Sequence, residues 1–599
     1  MSAFQDFNYL SERRRAERQQ RRRRIIAAVS TVSAILVLAV VGAAAVVYNN
    51  NETESTTSTS SQLSTSSSSG KGGGGGAPKK DFHTSTAISL ICSSTDFKNT
   101  CEASLKKHAN ETSTPKDLVR AAVSILVEEI SEAFAKSDTI KSDDPAVKGA
   151  VEVCKDLHTY AVGELNGTLS TIDSHNLNQL PRKVHDLSTW LSAVATYQQT
   201  CIDGYPEGEF KTKMQNAMNS TKQLTSNALS IVGSISSIVS LVQIGGGRRL
   251  LAKEPPEFHK DGLPSWISDD DRRVLLARSA QGFTPNITVA KDGSGDCTTI
   301  ADALAKIPKK YDGRYVIYVK EGVYEEQLLI EKNMINVTMY GDGSRKTVIT
   351  GSKNNVDGTK TFYTATFAVA GEGFLGVSIG FQNTAGAIKH QAVALRVQAD
   401  RAIFLNCRME GYQDTLYAHS HRQFYRGCLI SGTIDFIFGD GSAVFQNCIM
   451  TVRRPLDNQQ NIVLAQGRTM RTETTAFVIQ NCKIVPEDDL KPDVGKIRSY
   501  LGRPWQEFSK TVVMESDIGD FISPEGYTPW SGDFGLNTLS YSEYNNKGPS
   551  GDSSKRVKWP GVKVLSRDEA ITFTATEFIQ ADDWVPKTGT PVRLGLFGQ

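Results

Sequence analysis

Tyr412-Gln413-Asp414-Thr415-Leu416-Tyr417, followed at short range by Gly432-Thr433-Ile434-Asp435-Phe436-Ile437-Phe438-Gly439, sets the reading of the whole chain. Each segment holds one carboxylate among aromatic and β-branched residues, a strand-like apolar setting where an ionised Asp is costly unless something pairs with it. An Asp commonly caps a turn. Two in such surroundings point to chemistry, because carboxyls whose pKa values are pushed apart can divide the work between an acid and a nucleophile or base. A weak repeat surrounds them. Asn406-Cys407, Asn447-Cys448 and Asn481-Cys482 each end an apolar strand; Cys407, Cys428 and Cys448 lie 21 and 20 residues apart, and Gln391, Gln413 and Asp435 are each 22 apart. A recurrence near 20 residues is what a coiled β-solenoid produces when each rung stacks on the last.

Stacked strands lie about 4.8 Å apart, which predicts Gln391, Gln413 and Asp435 above one another on one wall. Asp414, next to Gln413, would face the other way in a regular strand, so a turn or bulge is expected there. The same stacking brings the Cα atoms of Cys428 and Cys448 within the roughly 4.4–6.8 Å a disulfide needs, and Cys407 with Cys428 fits as well on spacing. From Pro285 onward the strands are short and separated by Gly, Asn and Asp turns, without long helices between them, which disfavours a sheet with crossover helices.

Upstream, about Thr84 to Ile244 reads as helical. Leu118, Ala122, Val123, Leu126, Val127, Ile130 and Phe134 recur at helical spacing, as do Leu187, Trp190, Leu191 and Val194. Several amphipathic helices in this span imply a bundle. Its four cysteines, Cys92 with Cys101 and Cys154 with Cys201, suggest two bridges, though sequence alone allows three pairings.

A chain of 599 residues exceeds one ordinary domain. Ile25–Tyr48 is an uninterrupted apolar or small run, long enough to span a bilayer, and eight arginines precede it, which places everything after Tyr48 outside the cytoplasm. A removed signal peptide is the alternative. Six Asn-x-Ser/Thr sequons (Asn51, Asn110, Asn166, Asn219, Asn286, Asn336) and nine cysteines suit a secretory route and an oxidising compartment. The net charge of +2 lacks the basic footprint of a nucleic-acid binder.

Two resemblances follow. The helical region, through its spaced cysteine pairs and Leu191-Ser192-Ala193-Val194-Ala195-Thr196 leading to Cys201-Ile202-Asp203-Gly204, resembles the invertase and pectin methylesterase inhibitor family, a secreted four-helix bundle with two disulfides. From Asn286 to Gln599 the chain closely resembles plant pectin methylesterases made with an inhibitor-like pro-region. The motifs that carry this are Asp292-Gly293-Ser294-Gly295, Gly341-Asp342-Gly343, Gly380-Phe381-Gln382-Asn383-Thr384-Ala385-Gly386, Gln391-Ala392-Val393-Ala394-Leu395, the two Asp segments, Ala465-Gln466-Gly467-Arg468 and Leu501-Gly502-Arg503-Pro504-Trp505.

The chain is expected to be multidomain: the apolar run gives an N-terminal membrane-spanning segment, and the resemblances imply an all-α four-helix bundle followed by an all-β right-handed parallel β-helix. The expected segments are 1–24 (basic cytoplasmic tail), 25–48 (transmembrane or signal anchor), 49–83 (Ser/Gly-rich linker), 84–244 (inhibitor-like domain), 245–284 (processing linker) and 285–599 (catalytic β-helix). Basic sites Arg248-Arg249 and Arg272-Arg273 offer a processing protease accessible bonds.

The family pattern further implies Asp435 as nucleophile and Asp414 as proton donor, later the base. Gln391 and Gln413 hold the carbonyl oxygen, Arg503 contacts Asp435, and Thr361 and Trp505 bind the sugar chain. No metal and no cofactor is implied. Arg503 alone would read as a surface ion pair, and Trp505 alone as core. Cys297 stands where the family often has an aromatic residue and Tyr527 where a Trp is common, which bears on the outer sugar-binding surface. The implied substrate is methyl-esterified homogalacturonan in the cell wall. Further implied partners are the chain's own inhibitor-like domain, separate inhibitor proteins and, through the N-terminal segment, the membrane. The rival readings are another pectin-active solenoid enzyme, a polygalacturonase or lyase, and an inhibitory protein with a dead esterase domain.

Overall fold

Local sequence starts the helices of the N-terminal half cleanly in the computed structural model, which describes residues 84–242 and 283–597. Two short helices, α1 (Thr84–Cys92) and α2 (Lys98–His108), precede four long ones: α3 (Pro115–Asp138), α4 (Pro145–Ser174), α5 (Val184–Asp203) and α6 (Glu209–Gly233). Thr114 and Asp117 form a capping box at the start of α3, and Asp144 caps α4; each helix has Pro in its first turn, where a missing N–H is harmless. The stripe Leu118, Val123, Leu126, Ile130 and Phe134 is buried, as its spacing predicts. Disulfides Cys92–Cys101 and Cys154–Cys201 form, the second joining α4 to α5. Closing a span of 47 residues, it stabilises the helical half by about 4 kcal/mol on the chain-entropy account.

Residues 283–597 coil into three parallel sheets of 11, 7 and 8 strands, a parallel β-helix. The seven-stranded sheet carries the site: β1 (Leu328–Ile330), β2 (Phe367–Val369), β3 (Leu395–Val397), β4 (Leu416–Ala418), β5 (Ile437–Gly439), β6 (Asn461–Gln466) and β7 (Ser499–Gly502). Leu395 pairs with Leu416 and Leu416 with Ile437, so a rung here is 21 residues. This corrects the expected column of Gln391, Gln413 and Asp435, because a 22-residue spacing slips one position on every turn. Asp414 and Asp435, each two residues ahead of its paired apolar residue, are the groups that fall in register, one rung apart. The turn expected at Asp414 is present, and Asp435 shares its backbone: Asp414 has φ 63° and Asp435 φ 51°, the left-handed region that non-glycine residues seldom occupy and that clusters at functional sites.

Cys407, Cys428, Cys448 and Cys482 precede paired strand residues on successive rungs and so form a column. The bridge expected between Cys428 and Cys448 is not formed; all four thiols are free and buried. Each finds a backbone acceptor instead, Cys428 Sγ lying 3.3 Å from the Phe404 carbonyl and Cys482 Sγ 3.4 Å from that of Phe445. Stacking that brings two sulfurs within bonding reach equally lets them pack as small apolar groups.

Alternation along each strand buries Leu416 and Leu395 inside the coil and turns Tyr417, Phe438, Ala368 and Ala465 outward. That outer face is not left to solvent. It joins the hydrophobic core of the helical half, so the two halves pack as one unit. The apolar run Ile25–Tyr48, the Ser/Gly-rich segment and the arginine pairs of the linker lie outside the described residues. Among the described residues no helix is long and apolar enough to cross a membrane.

Candidate active site

The turns ahead of β4 and β5 bring Asp414 and Asp435 to one cavity of about 800 Å³, and Thr361, Gln391, Gln413, Arg503 and Trp505 line the same space. Every catalytic and sugar-binding residue expected from sequence is therefore gathered in one place. Arg503, immediately after β7, donates from Nε to Asp435 Oδ1 at 2.8 Å and from Nη2 to Oδ2 at 2.5 Å. This bidentate fork fixes the carboxylate plane. On its other side the guanidinium lies 4.1 Å from the Trp530 ring centroid, a cation–π contact.

Tyr417 and Phe438 stack at 4.2 Å, and Trp505 stands edge-on to Phe438 at 5.8 Å, giving an aromatic surface beside the carboxyls. Tyr417 and Phe438 were missed in the sequence, although the alternation that buries Leu416 and Ile437 sends them outward. Trp530 carried no such signal. Tyr527 does not belong to a sugar-binding surface: it is 1% exposed, and its hydroxyl lies 3.3 Å from Glu543. Cys297 is likewise buried, within 3.1 Å of Lys306 Nζ.

Asp414 and Asp435 are 7% and 4% exposed. Burial lifts the Asp414 carboxyl well above the usual carboxylate range, and the charge of Asp435 adds to this while Arg503 opposes it. Burial lifts Asp435 too, against the expectation that its arginine would hold it low, but the Arg503 hydrogen bonds and charge pull it back. The order survives: the carboxyl gripped by the guanidinium ionises first, and its neighbour stays protonated. Removing Trp530 loosens that grip. Trp530→Ala is expected to lower turnover by about tenfold, with the acid limb of the pH–rate profile moving upward as Asp435 loses its fixed partner. A pH–rate profile unchanged from that of the parent refutes this role.

A parallel β-helix bearing an ion-paired carboxylate, a protonated carboxyl and two amides beside a cluster of outward-facing aromatics is the architecture of a polysaccharide-modifying hydrolase. The family profile described as Pectinesterase matches residues 286–582, and that of Plant invertase/pectin methylesterase inhibitor matches residues 86–231. The chain is similar to pectinesterase/pectinesterase inhibitor 13 of Arabidopsis thaliana, 48% identical over 514 residues, which is 85% of this chain and 82% of that relative. Pectinesterase 1 of Citrus sinensis is 41% identical over 517 residues, 84% of this chain and 88% of the relative. The solved pectin methylesterase from carrot, 48% identical, aligns with TM-score 0.52 over 53% of this chain and 100% of its own. The chain belongs to the pectinesterase family, with a region of the inhibitor family ahead of the β-helix.

Proposed function

We propose that this chain removes methyl esters from homogalacturonan, converting pectin and water into pectate and methanol, through Asp435 as nucleophile. The observation that carries this reading is the bidentate Arg503–Asp435 pair with Asp414 in register one rung away. Asp435, ionised and oriented, attacks the ester carbonyl. Side-chain amides of Gln391 and Gln413 donate to the developing oxyanion; losing one such donor typically costs about 3–4 kcal/mol. Asp414, kept protonated by burial, gives its proton to the departing methanol and then, as base, activates the water that cleaves the acyl-enzyme. Thr361 and Trp505 bind the sugar chain. Methanol release without new reducing ends is the result expected; new reducing ends in its place refute the reading in favour of a chain-cleaving enzyme.

The helical region acts, in this reading, as a four-helix inhibitor-like pro-domain on a right-handed coil. Thr200, Asp203 and the turn Gly204-Tyr205-Pro206 of the helical half wall the same cavity, and Gln506 donates to Asp203 at 3.1 Å. The apolar N-terminal run directs the chain into the secretory route as a signal anchor, and cleavage in the linker releases the enzyme to the cell wall. Separate inhibitor proteins of the same family dock where this region does.

Docking carries a pH dependence. Burial alone pushes His421 down, but the Glu164 carboxylate 3.3 Å away, with Asp400 behind it, raises it above its ordinary value against the opposing charge of Lys332. A histidine raised in the docked state stabilises docking fully below its free pKa, and that contribution is lost as pH rises through the docked value. Asp203, pushed up to about 6 by burial with Lys211 opposing, has the same sign, its contribution falling as pH rises from the free value of 3.8 to about 6. Halves separated by cleavage in the linker are expected to co-elute at about pH 5 and part by about pH 8, and Glu164→Gln flattens the change. Co-elution independent of pH refutes it.

A further inference from the structure

The seam between the halves is polarised. Lys332 Nζ lies 2.7 Å from Glu164, and Asp186 Oδ1 lies 3.0 Å from Arg401 and 2.8 Å from Arg422. Arg471 pairs with Asp96. In each of these, as in His421–Glu164, the carboxylate comes from the helical half and the cation from the β-helix. Lys332, Arg401, His421 and Arg422 follow the C-terminal ends of β1, β3 and β4, whereas Asp414 and Asp435 precede β4 and β5. The strip is thus separated from the catalytic pair by a three-residue strand, about 10 Å.

Between the two rows stands Arg396, on the outward face of β3 beside Ala368 and Tyr417. It is 4% exposed and lies 3.4 Å from the Phe362 ring centroid, yet its Nε and Nη1 have no hydrogen-bond partner. A buried guanidinium with unmet donors is costly, and the docked helices do not supply its acceptor. The charge count points the same way. Lys332, Arg396, Arg401, Arg422 and protonated His421 face Glu331, Glu372 and Asp400 of the β-helix and Glu164 and Asp186 of the helical half. Docked, the strip is neutral; without the helices it keeps a surplus of two positive charges while His421 is protonated and of one once His421 loses its proton.

We propose that this strip is a second binding site, specific for the carboxylates of de-esterified galacturonan, and that Glu164 and Asp186 occupy it as stand-ins for galacturonate while the helical half is docked. The proposal rests on the pectin reading above and adds to it a surface that recognises the product and not the ester. The chain would hold pectate through Lys332, Arg396 and Arg401 while an esterified stretch lies at Asp435.

The test uses the full-length chain on immobilised polygalacturonate. Glu164→Gln with Asp186→Asn frees the strip, and retention is expected to rise about fivefold over the parent. Adding Arg401→Gln returns retention to the parental level, Arg401→Lys keeps most of the gain, and fully methyl-esterified galacturonan retains none of the chains by this route. No gain in the double variant, a gain that survives Arg401→Gln, or equal retention on the esterified polymer overturns the proposal. Methanol release is read in parallel on each chain after cleavage in the linker, so that the docked helices do not mask it. Release without Arg401-dependent retention sinks the strip and leaves the esterase; Arg401-dependent retention without release sinks the esterase and leaves the strip.

Discussion

Asp435→Asn is expected to lower methanol release from esterified pectin by about 10⁴-fold or more, and Asp414→Asn by about 10²–10⁴-fold, because the first removes the attacking group and the second the proton it hands on. The two substitutions should differ in what they do to the fold. Asp414 is the more strongly raised carboxyl and sits neutral in its turn, so an amide replaces one uncharged group with another of the same shape. Asp435 balances Arg503, and its loss leaves a largely buried guanidinium with a neutral acceptor, which costs stability. The acid-to-amide change at position 414 should therefore leave the denaturation midpoint near that of the parent, while the change at 435 lowers it. Normal turnover in either variant, beside an unchanged circular dichroism spectrum, removes these residues from the mechanism.

Cleavage between residues 245 and 284 followed by separation of the helical half is expected to raise activity on polymeric pectin by about 100-fold. The reason is geometric. Helix α5 and the turn after it close one side of the cavity, and a polysaccharide must enter along its length to present an ester to Asp435. Apolar contact of Tyr417, Phe438 and Ala465 with the helical core, together with the polarised ion pairs, holds that wall in place. An intact chain, its length verified by mass, that matches the separated β-helix on polymer would show that the wall does not restrict access.

The rung architecture was legible in the sequence because stacking imposes a period, and Asn-Cys pairs at strand ends keep it visible. The phase was not. Gln391, Gln413 and Asp435 share a spacing of 22, but the backbone repeats every 21, and only the pairing of Leu416 with Ile437 reveals which positions coincide. The candidate set that lines the cavity could be gathered because Gln391, Gln413, Asp414, Asp435, Arg503 and Trp505 sit in the short motifs that carry the family resemblance. Trp530, 27 residues beyond Arg503, carried no local sign of its partner. Glu164 and His421 are 257 positions apart and belong to halves whose docking no local pattern encodes. The Cys428–Cys448 expectation failed for a related reason: spacing reports proximity, and proximity in this column is shared by four sulfurs.

That column has a bearing on how the chain matures. In an oxidising lumen four neighbouring thiols are at risk of cross-linking until adjacent rungs have closed over them, whereas Cys92–Cys101 and Cys154–Cys201 require oxidation. Coil closure must then outrun oxidation in one half and await it in the other. Pulse alkylation during refolding gives a timetable of that race, each sulfur falling silent to the reagent as the turn that shelters it is laid down.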